Sequence, residues 1–287
     1  MSYKSKRYSY EYEEYEDGKK GAETMLAEIM ADAEFASLEE LVIGCWGEAW
    51  EDNPQPIVDG IVANAEQFSH IKSIFFGDMD FEECEVSWIM QADYSKLWAA
   101  MPQLERFIVK GSNDLVLGEI SHENLKTLEV ICGGLPVEVL NSIKSAKLPS
   151  LEKLLLYVGV EDYGFTGDLS DIKALLSESD FPKLTYLGIT DSEIQDDICA
   201  AVLESKYINQ ITTLDLSMGT LTDKGGAMLL EKLPSLDNIK TVDLQYHFMT
   251  DDMMKKLTAL DQDVCVDDQE EMEEYDGEVW LYPMLTE

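Results

Sequence analysis

The chain has 287 residues, 45% of them hydrophobic, and carries 58 acidic against 21 basic side chains, a formal net charge of -37. That apolar share excludes wholesale disorder, and the length admits either two globular domains or one elongated array. Such acidity repels phosphate backbones and anionic membrane surfaces, so no nucleic acid and no membrane is expected as partner, whereas basic surfaces are attracted. At the front, Met1–Glu16 is rich in Tyr, Lys and Glu and lacks the apolar centre of a signal peptide. Within it Arg7–Glu13 alternates aromatic and polar residues, which predicts an edge strand with Tyr8, Tyr10 and Tyr12 on one side. Ala22–Phe35 follows as an amphipathic helix with Met25, Ile29 and Ala33 stepping along one face. Residues 1–36 therefore read as a tail and capping helix.

From residue 37 to 260 one pattern, apolar-x-x-apolar-x-apolar, recurs. It begins as Leu38-Leu41-Ile43, Ile71-Ile74-Phe76, Leu104-Phe107-Val109 and Leu125-Leu128-Val130. It continues as Leu151-Leu154-Leu156, Leu184-Leu187-Ile189, Ile211-Leu214-Leu216 and Ile239-Val242-Leu244, with starts 33, 33, 21, 26, 33, 27 and 28 residues apart. The last two apolar positions of each hexamer share one face of a short strand and point inward, while the residue between them points out. After each strand a helix must turn the chain back. In the seventh unit Leu229 and Leu233 lie on one helical face, Asp223 stands near the helix start, and Pro234 ends it. One such unit cannot bury its inner face alone, so neighbours stack into a continuous core.

Ile211-Thr-Thr-Leu214-Asp-Leu216, followed by Leu221-Thr-Asp-Lys-Gly225, Leu229 and Leu233, resembles the ribonuclease-inhibitor-like class of leucine-rich repeats. Ile194–Ile198 and Met249–Met253 echo the same strand-to-helix turn, and the resemblance spans roughly residues 37–260. It implies an α/β solenoid of about eight repeats, with parallel strands on the concave face, helices on the convex face, and protein binding as the usual activity. The chain also looks like a group of bacterial cytoplasmic repeat proteins. There is a departure: the family's buried loop Asn is replaced by Trp46, Met79, Ser112, Gly133, Gly159, Ser192, Gly219 and His247. Irregular loops are expected in consequence.

Between the third and fourth predicted strands, Gly77–Ala100 exceeds what a repeat needs to return. Four of the five tryptophans fall between Trp46 and Trp98. Two readings stand for these early aromatics: a functional loop on one rim, or a plug for a wide N-terminal core, the second being favoured. The outward strand column runs Val42, Phe75, Ile108, Glu129, Leu155, Gly188, Asp215, Asp243. Its apolar members, with Tyr157 and Tyr186 and the positive Arg106, Lys110, Lys126 and Lys153, have the composition of an interface centre. Phe75, Arg106, Ile108, Lys110, Lys153, Leu155, Tyr157 and Tyr186 are accordingly the expected partner-binding residues, solvent-accessible on the strand face. Beyond the array, 261–287 opens on Asp261–Glu278, with ten acidic residues in eighteen, which reads as a solvated segment. Val279–Tyr282 then predicts a return to the body as a closing strand.

No sequence signature of catalysis emerges: G-x-S-x-G, P-loop and G-x-G-x-x-G patterns are lacking. His70, His122 and His247 lie beside strand boundaries and suit structural polar roles. Asp191–Asp197 lacks the Gly and closing Glu of a calcium loop, so a helix-capping role is the simpler expectation. Cys45, Cys84, Cys132, Cys199 and Cys265 lie far apart with no CxxC, which suits free thiols and a cytoplasmic location. The expectation is a non-enzymatic protein-interaction module without cofactor or metal, binding a protein partner on its concave face. An acidic inhibitor or immunity-type protein that occludes a basic partner is the second reading.

Overall fold

The computed structural model describes residues 3–275 and 278–285; the first two residues, two within the acidic stretch and the last two lie outside it. Its first elements are β1 (Ser5–Tyr8), α1 (Tyr12–Tyr15), α2 (Ala22–Ala31), β2 (Glu40–Ile43), α3 (Gln55–Ala63), β3 (Ser73–Phe76) and α4 (Leu97–Ala100). The middle holds β4 (Arg106–Lys110), β5 (Thr127–Ile131), α5 (Val137–Lys144), β6 (Lys153–Gly159), α6 (Leu169–Glu178) and β7 (Tyr186–Ser192). After these come α7 (Gln195–Leu203), β8 (Thr213–Asp215), α8 (Asp223–Lys232), β9 (Thr241–Asp243), α9 (Asp251–Leu257) and β10 (Asp263–Cys265). A ribbon of β11 (Glu273–Tyr275) and β12 (Glu278–Trp280) follows.

Strands β1 to β10 form a single sheet in chain order, every neighbouring pair parallel. Register aligns the hexamers as expected: Leu41, Ile74, Phe107, Leu128, Leu154, Leu187, Leu214 and Val242 stand side by side. All eight are at most 1% exposed, and they share one core with the apolar stripes of α2, α3 and α5 to α9. Burying a side chain of this size is worth about 1.5–3 kcal/mol, so this inward row is a substantial part of what holds the sheet to its helices. Helices pack in series, α5 on α6, α6 on α7, α7 on α8 and α8 on α9. No helix lies between β4 and β5, where only 21 residues separate the hexamers; extended backbone bridges Asn113 to Met90 and Val116 to Asp93 instead.

The sheet runs past both ends of the expected array. β1 begins earlier than the alternating tyrosines suggested and stops at Tyr8, while Tyr12 sits exposed on α1. α2 ends at Ala31, not Phe35, because Asp32 turns its side chain back to accept from the Glu34 amide at 2.9 Å, a local bond that competes with helix. At the other end β10 pairs with β9, and the acidic stretch is not simply solvated. The Asp267 carbonyl accepts from Tyr246 N at 3.0 Å, Glu270 N donates to the His247 carbonyl at 2.8 Å, and Gln269 Nε2 donates to the Met249 carbonyl at 2.8 Å. Val279 and Trp280 close no edge of the main sheet; they belong to the antiparallel β11–β12 ribbon.

Several loops hold their backbone by devices other than the missing Asn. Gln195 Nε2 donates to the Ile189 carbonyl at 2.8 Å while its Oε1 accepts from Ser192 N at 3.2 Å. His247, fully buried, bonds Val266 O at 3.1 Å and accepts from Met249 N, and burial lowers its proton affinity. His70 and His122 likewise bond backbone carbonyls, of Phe35 and Met101. Gly159 adopts φ +69, and a Cβ there would lie 1.7 Å from the Gly133 carbonyl oxygen, so only glycine admits this close strand approach. Asp223 serves the unit after its own: Thr222 caps α8, while Asp223 accepts from Thr250 N and Oγ1 at 2.8 and 2.9 Å ahead of α9. Asp196 does the same one unit earlier, accepting from Thr222 N, Thr222 Oγ1 and Gly225 N.

Candidate functional site

The outward strand column is aligned by the register as Val42, Phe75, Ile108, Glu129, Leu155, Gly188, Asp215 and Asp243. Two residues earlier on each strand, Glu40, Ser73, Arg106, Thr127, Lys153, Tyr186, Thr213 and Thr241 form a second row on the same face. Lys110 and Tyr157, two residues later on their strands, extend it. The eight expected binding residues are thus brought onto one face of β3, β4, β6 and β7.

Accessibility departs from expectation. Phe75, Arg106, Lys110, Lys153, Tyr157 and Tyr186 are half-buried, but Ile108 is 2% and Leu155 7% exposed. Residues two apart on a strand share a face about 6.6 Å from each other, so the longer Arg106 and Lys110 about Ile108, and Lys153 and Tyr157 about Leu155, stand taller and shield the shorter ones. Leu155 also leans across Gly188, where a Cβ would meet its Cδ1 at 2.4 Å. These two residues are the floor of the face, not its contact surface.

The gathering of positive charge is neutralised from within. Arg106 Nη1 lies 2.9 Å from Glu40 Oε1, which also accepts from Ser73 Oγ at 2.7 Å. Lys153 pairs with Glu129 at 3.1 Å and stands 4.5 Å above the Tyr186 ring. Lys126 pairs with Glu105 at 2.8 Å, and Lys110 Nζ donates to the Met79 carbonyl at 2.5 Å while burial lowers its proton affinity. Tyr186 donates to Asp215, whose other oxygen accepts from Ser217 N and Oγ. Burial first, then the Asp215 carboxylate, raises the affinity of the Tyr157 and Tyr186 phenols for their protons. The face is a preorganised polar network over an apolar floor, and among the described residues each of these four cations is already engaged.

One carboxylate is not satisfied. Asp191 is fully buried near the end of β7, in the left-handed backbone region at φ 56. Its Oδ1 accepts from Leu285 N at 2.8 Å, but its Oδ2 has no partner among the described residues, and burial pushes its pKa up to about 8. The residues after β12 return here: Tyr246 Oη donates to the Tyr282 carbonyl at 3.2 Å, and Met284 N to the Met218 carbonyl at 2.8 Å.

The early aromatics divide. Trp46 and Tyr94 are fully buried and Trp98 nearly so, its Nε1 donating to the Leu117 carbonyl at 2.8 Å, so these three do plug the core. Trp88, in contrast, is 58% exposed, as is Phe81 at 65%, with Trp50 beside them at 36%. The plug reading fails for Trp88 because helical spacing does not extend through this loop; α4 begins only at Leu97.

Among the described residues no cluster of three or more His, Cys, Asp or Glu is arranged to hold a metal ion, and no helix is long and apolar enough to cross a membrane. All five cysteines are free; burial pushes the thiol of Cys84 up to about 11 and those of Cys132 and Cys199 up to about 12.

These features define an α/β protein with one all-parallel sheet whose ten strands follow chain order. No protein-family model matches the sequence, and no curated protein matches it. Among solved structures it is similar to the crystal structure of a Bacteroides fragilis protein, a structural-genomics target, with 42% identity, a TM-score of 0.87, and coverage of 94% of this chain and 76% of that one. The chain belongs to the same family as that Bacteroides fragilis protein.

Proposed function

We propose that the chain is a leucine-rich-repeat solenoid of the ribonuclease-inhibitor-like class, acting in the cytoplasm as a non-catalytic module that holds a protein partner against its concave strand face. The observation that carries the reading is the band of half-exposed Phe75, Tyr157 and Tyr186, with Arg106 and Lys153 among them, over the closed floor of Ile108 and Leu155. Aromatic and Arg side chains held rigid in this way are the usual anchors of an interface, because little entropy remains to be lost on binding. The test adds bulk without removing a native contact: Thr127→Arg and Thr213→Arg, both on this face and half-buried. Each should abolish capture of the wild-type chain's partner while leaving the melting temperature unchanged. Capture that survives both variants rejects the concave face.

The excess of 58 acidic over 21 basic side chains, with Asp215 and Asp243 at the later end of the same face, favours one second reading. This is an acidic inhibitor that occludes a basic partner. It requires capture to fail on Asp→Asn changes in the later units and to survive Thr127→Arg.

A further inference from the structure

Resting on the reading of the chain as a protein-interaction module, we infer a second docking site: the rim pocket of Trp50, Phe81, Cys84, Glu85 and Trp88 takes an arginine or lysine side chain from a basic segment of a partner protein, flanked there by apolar residues. Trp46, Phe68, Phe76, Tyr94 and Trp98 are buried in the same early units, yet Phe81, Trp88 and Trp50 stay between 36% and 65% exposed around one open pocket of about 310 Å³. A contiguous aromatic surface of this kind costs solvation unless something covers it. Trp50 is shared with a neighbouring cleft of about 980 Å³, where Tyr15 stands 6.3 Å from it and Tyr12 5.6 Å from Tyr15, so the aromatic path continues away from the pocket.

Charge decides the occupant. Asp80, Glu82 and Glu85 form no ion pair among the described residues, and the two cations of the adjoining cleft are already engaged. Arg7 bonds Asp78 at 3.0 Å and both oxygens of Glu83 at 2.8 and 2.6 Å, and Lys110 is held on the Met79 carbonyl. Glu85 is the one charged residue of the pocket and no cation lines it. A guanidinium or ammonium over the ring faces gains both the ring quadrupoles and the carboxylate; a second copy of this chain would bring a charge of -37 against the same sign.

The loop is built to hold these rings in place. Asp80 and Glu83 exchange backbone-to-carboxylate bonds at 3.0 and 2.9 Å, Asn113 Nδ2 donates to the Ser87 carbonyl at 2.6 Å, and Met90 N donates to the Ala49 carbonyl at 2.8 Å. Trp46 Nε1 ties the Trp50 turn down by donating to the Asp52 carbonyl at 2.9 Å. The site therefore exists before its ligand arrives.

The experiment titrates the full-length chain with a capped peptide alternating leucine and arginine, against the same peptide with citrulline for arginine and against oligolysine, read by calorimetry. The arginine peptide should saturate, the citrulline peptide should bind at least about tenfold more weakly, and Phe81→Ala, Trp88→Ala and Glu85→Gln should each weaken the arginine peptide about 3- to 30-fold. Melting temperatures should stay at the wild-type value, because the three side chains stand outside the core. No saturation by about 1 mM, equal binding of the citrulline peptide, equal binding of oligolysine, or rim variants that bind as wild type would each overturn the inference. Thr127→Arg separates the two sites. Peptide binding lost in that variant and kept in the rim variants sinks the pocket and leaves the strand-face reading standing; the reverse pattern, with partner capture also lost only in the rim variants, sinks the strand face instead.

Discussion

Replacing Asp191 by Asn should stabilise the protein, and should do so only where Asp191 would otherwise ionise. In the folded chain burial raises this carboxyl from its ordinary 3.8 to about 8, and among the described residues its one hydrogen bond comes from the Leu285 amide. The ionisable groups that feel its charge, Cys132, Tyr157 and Tyr246, are neutral near pH 7 and offer no compensating cation. Because the folded state keeps a proton that the unfolded state has released, stability is complete below about pH 4. It falls as pH rises and levels off above about pH 8. At 1.36 kcal/mol per unit the accumulated cost at pH 7 is about 4 kcal/mol. Asn cannot ionise, keeps an oxygen for the Leu285 amide, and suits the left-handed backbone at φ 56. The variant should therefore melt roughly 8–12 °C higher at pH 7 and within about 2 °C of wild type at pH 4. Lifting residues 281–285 offers a cheaper route to ionisation than global unfolding. If that route is used, the Leu285 amide of the wild type should exchange faster as pH rises, beyond the intrinsic rate, and should do so no longer in the variant. A melting difference that is the same at pH 4 and pH 8 would refute the reasoning.

Other outcomes follow from the packing. Gly159→Ala should cost at least about 3 kcal/mol in denaturant melts, since it combines a left-handed backbone with a Cβ that meets the Gly133 carbonyl. Asp223→Ala should cost about 1–2 kcal/mol by removing the two bonds that hold Thr250, the N-cap of α9, and hydrogen exchange should rise at Thr250–Met253 and not in α8. Leu155→Ala, on the strand face but 7% exposed, should lower stability by about 2–4 kcal/mol, whereas a freely exposed position would change it by about 0.5 kcal/mol. Thiol titration should find five reactive cysteines in denaturant, and in the native protein only Cys265 should react promptly, the other four being buried.

The sheet was legible in the sequence wherever two inward apolar residues flanked an outward one, which holds from Leu41-Ile43 to Val242-Leu244. The two end strands of the sheet, β1 and β10, break that rule. In β1 the position paired with Leu41 is Lys6, tolerable at an edge because it reaches Asp32 at 2.5 Å. In β10 Val264 and Val266 fit, but Asp261 stands where the hexamer needs its first apolar residue. The strand-face residues were legible as a set, since alternation alone assigns a face. Their exposure was not, because it depends on Arg106, Lys110, Lys153 and Tyr157 closing over shorter neighbours. Nor could any local pattern reveal that Leu285 meets Asp191 across 94 residues, or that Trp98 turns inward while Trp88 stands out.

The measurement that bears most directly on the concave-face reading is hydrogen exchange of the chain with its captured partner bound. The account predicts new protection in the strand segments Ser73–Phe76, Arg106–Lys110, Lys153–Gly159 and Tyr186–Ser192, with α5 to α8 unchanged. Protection confined to those helices, with the strand segments exchanging as in the free protein, would contradict it.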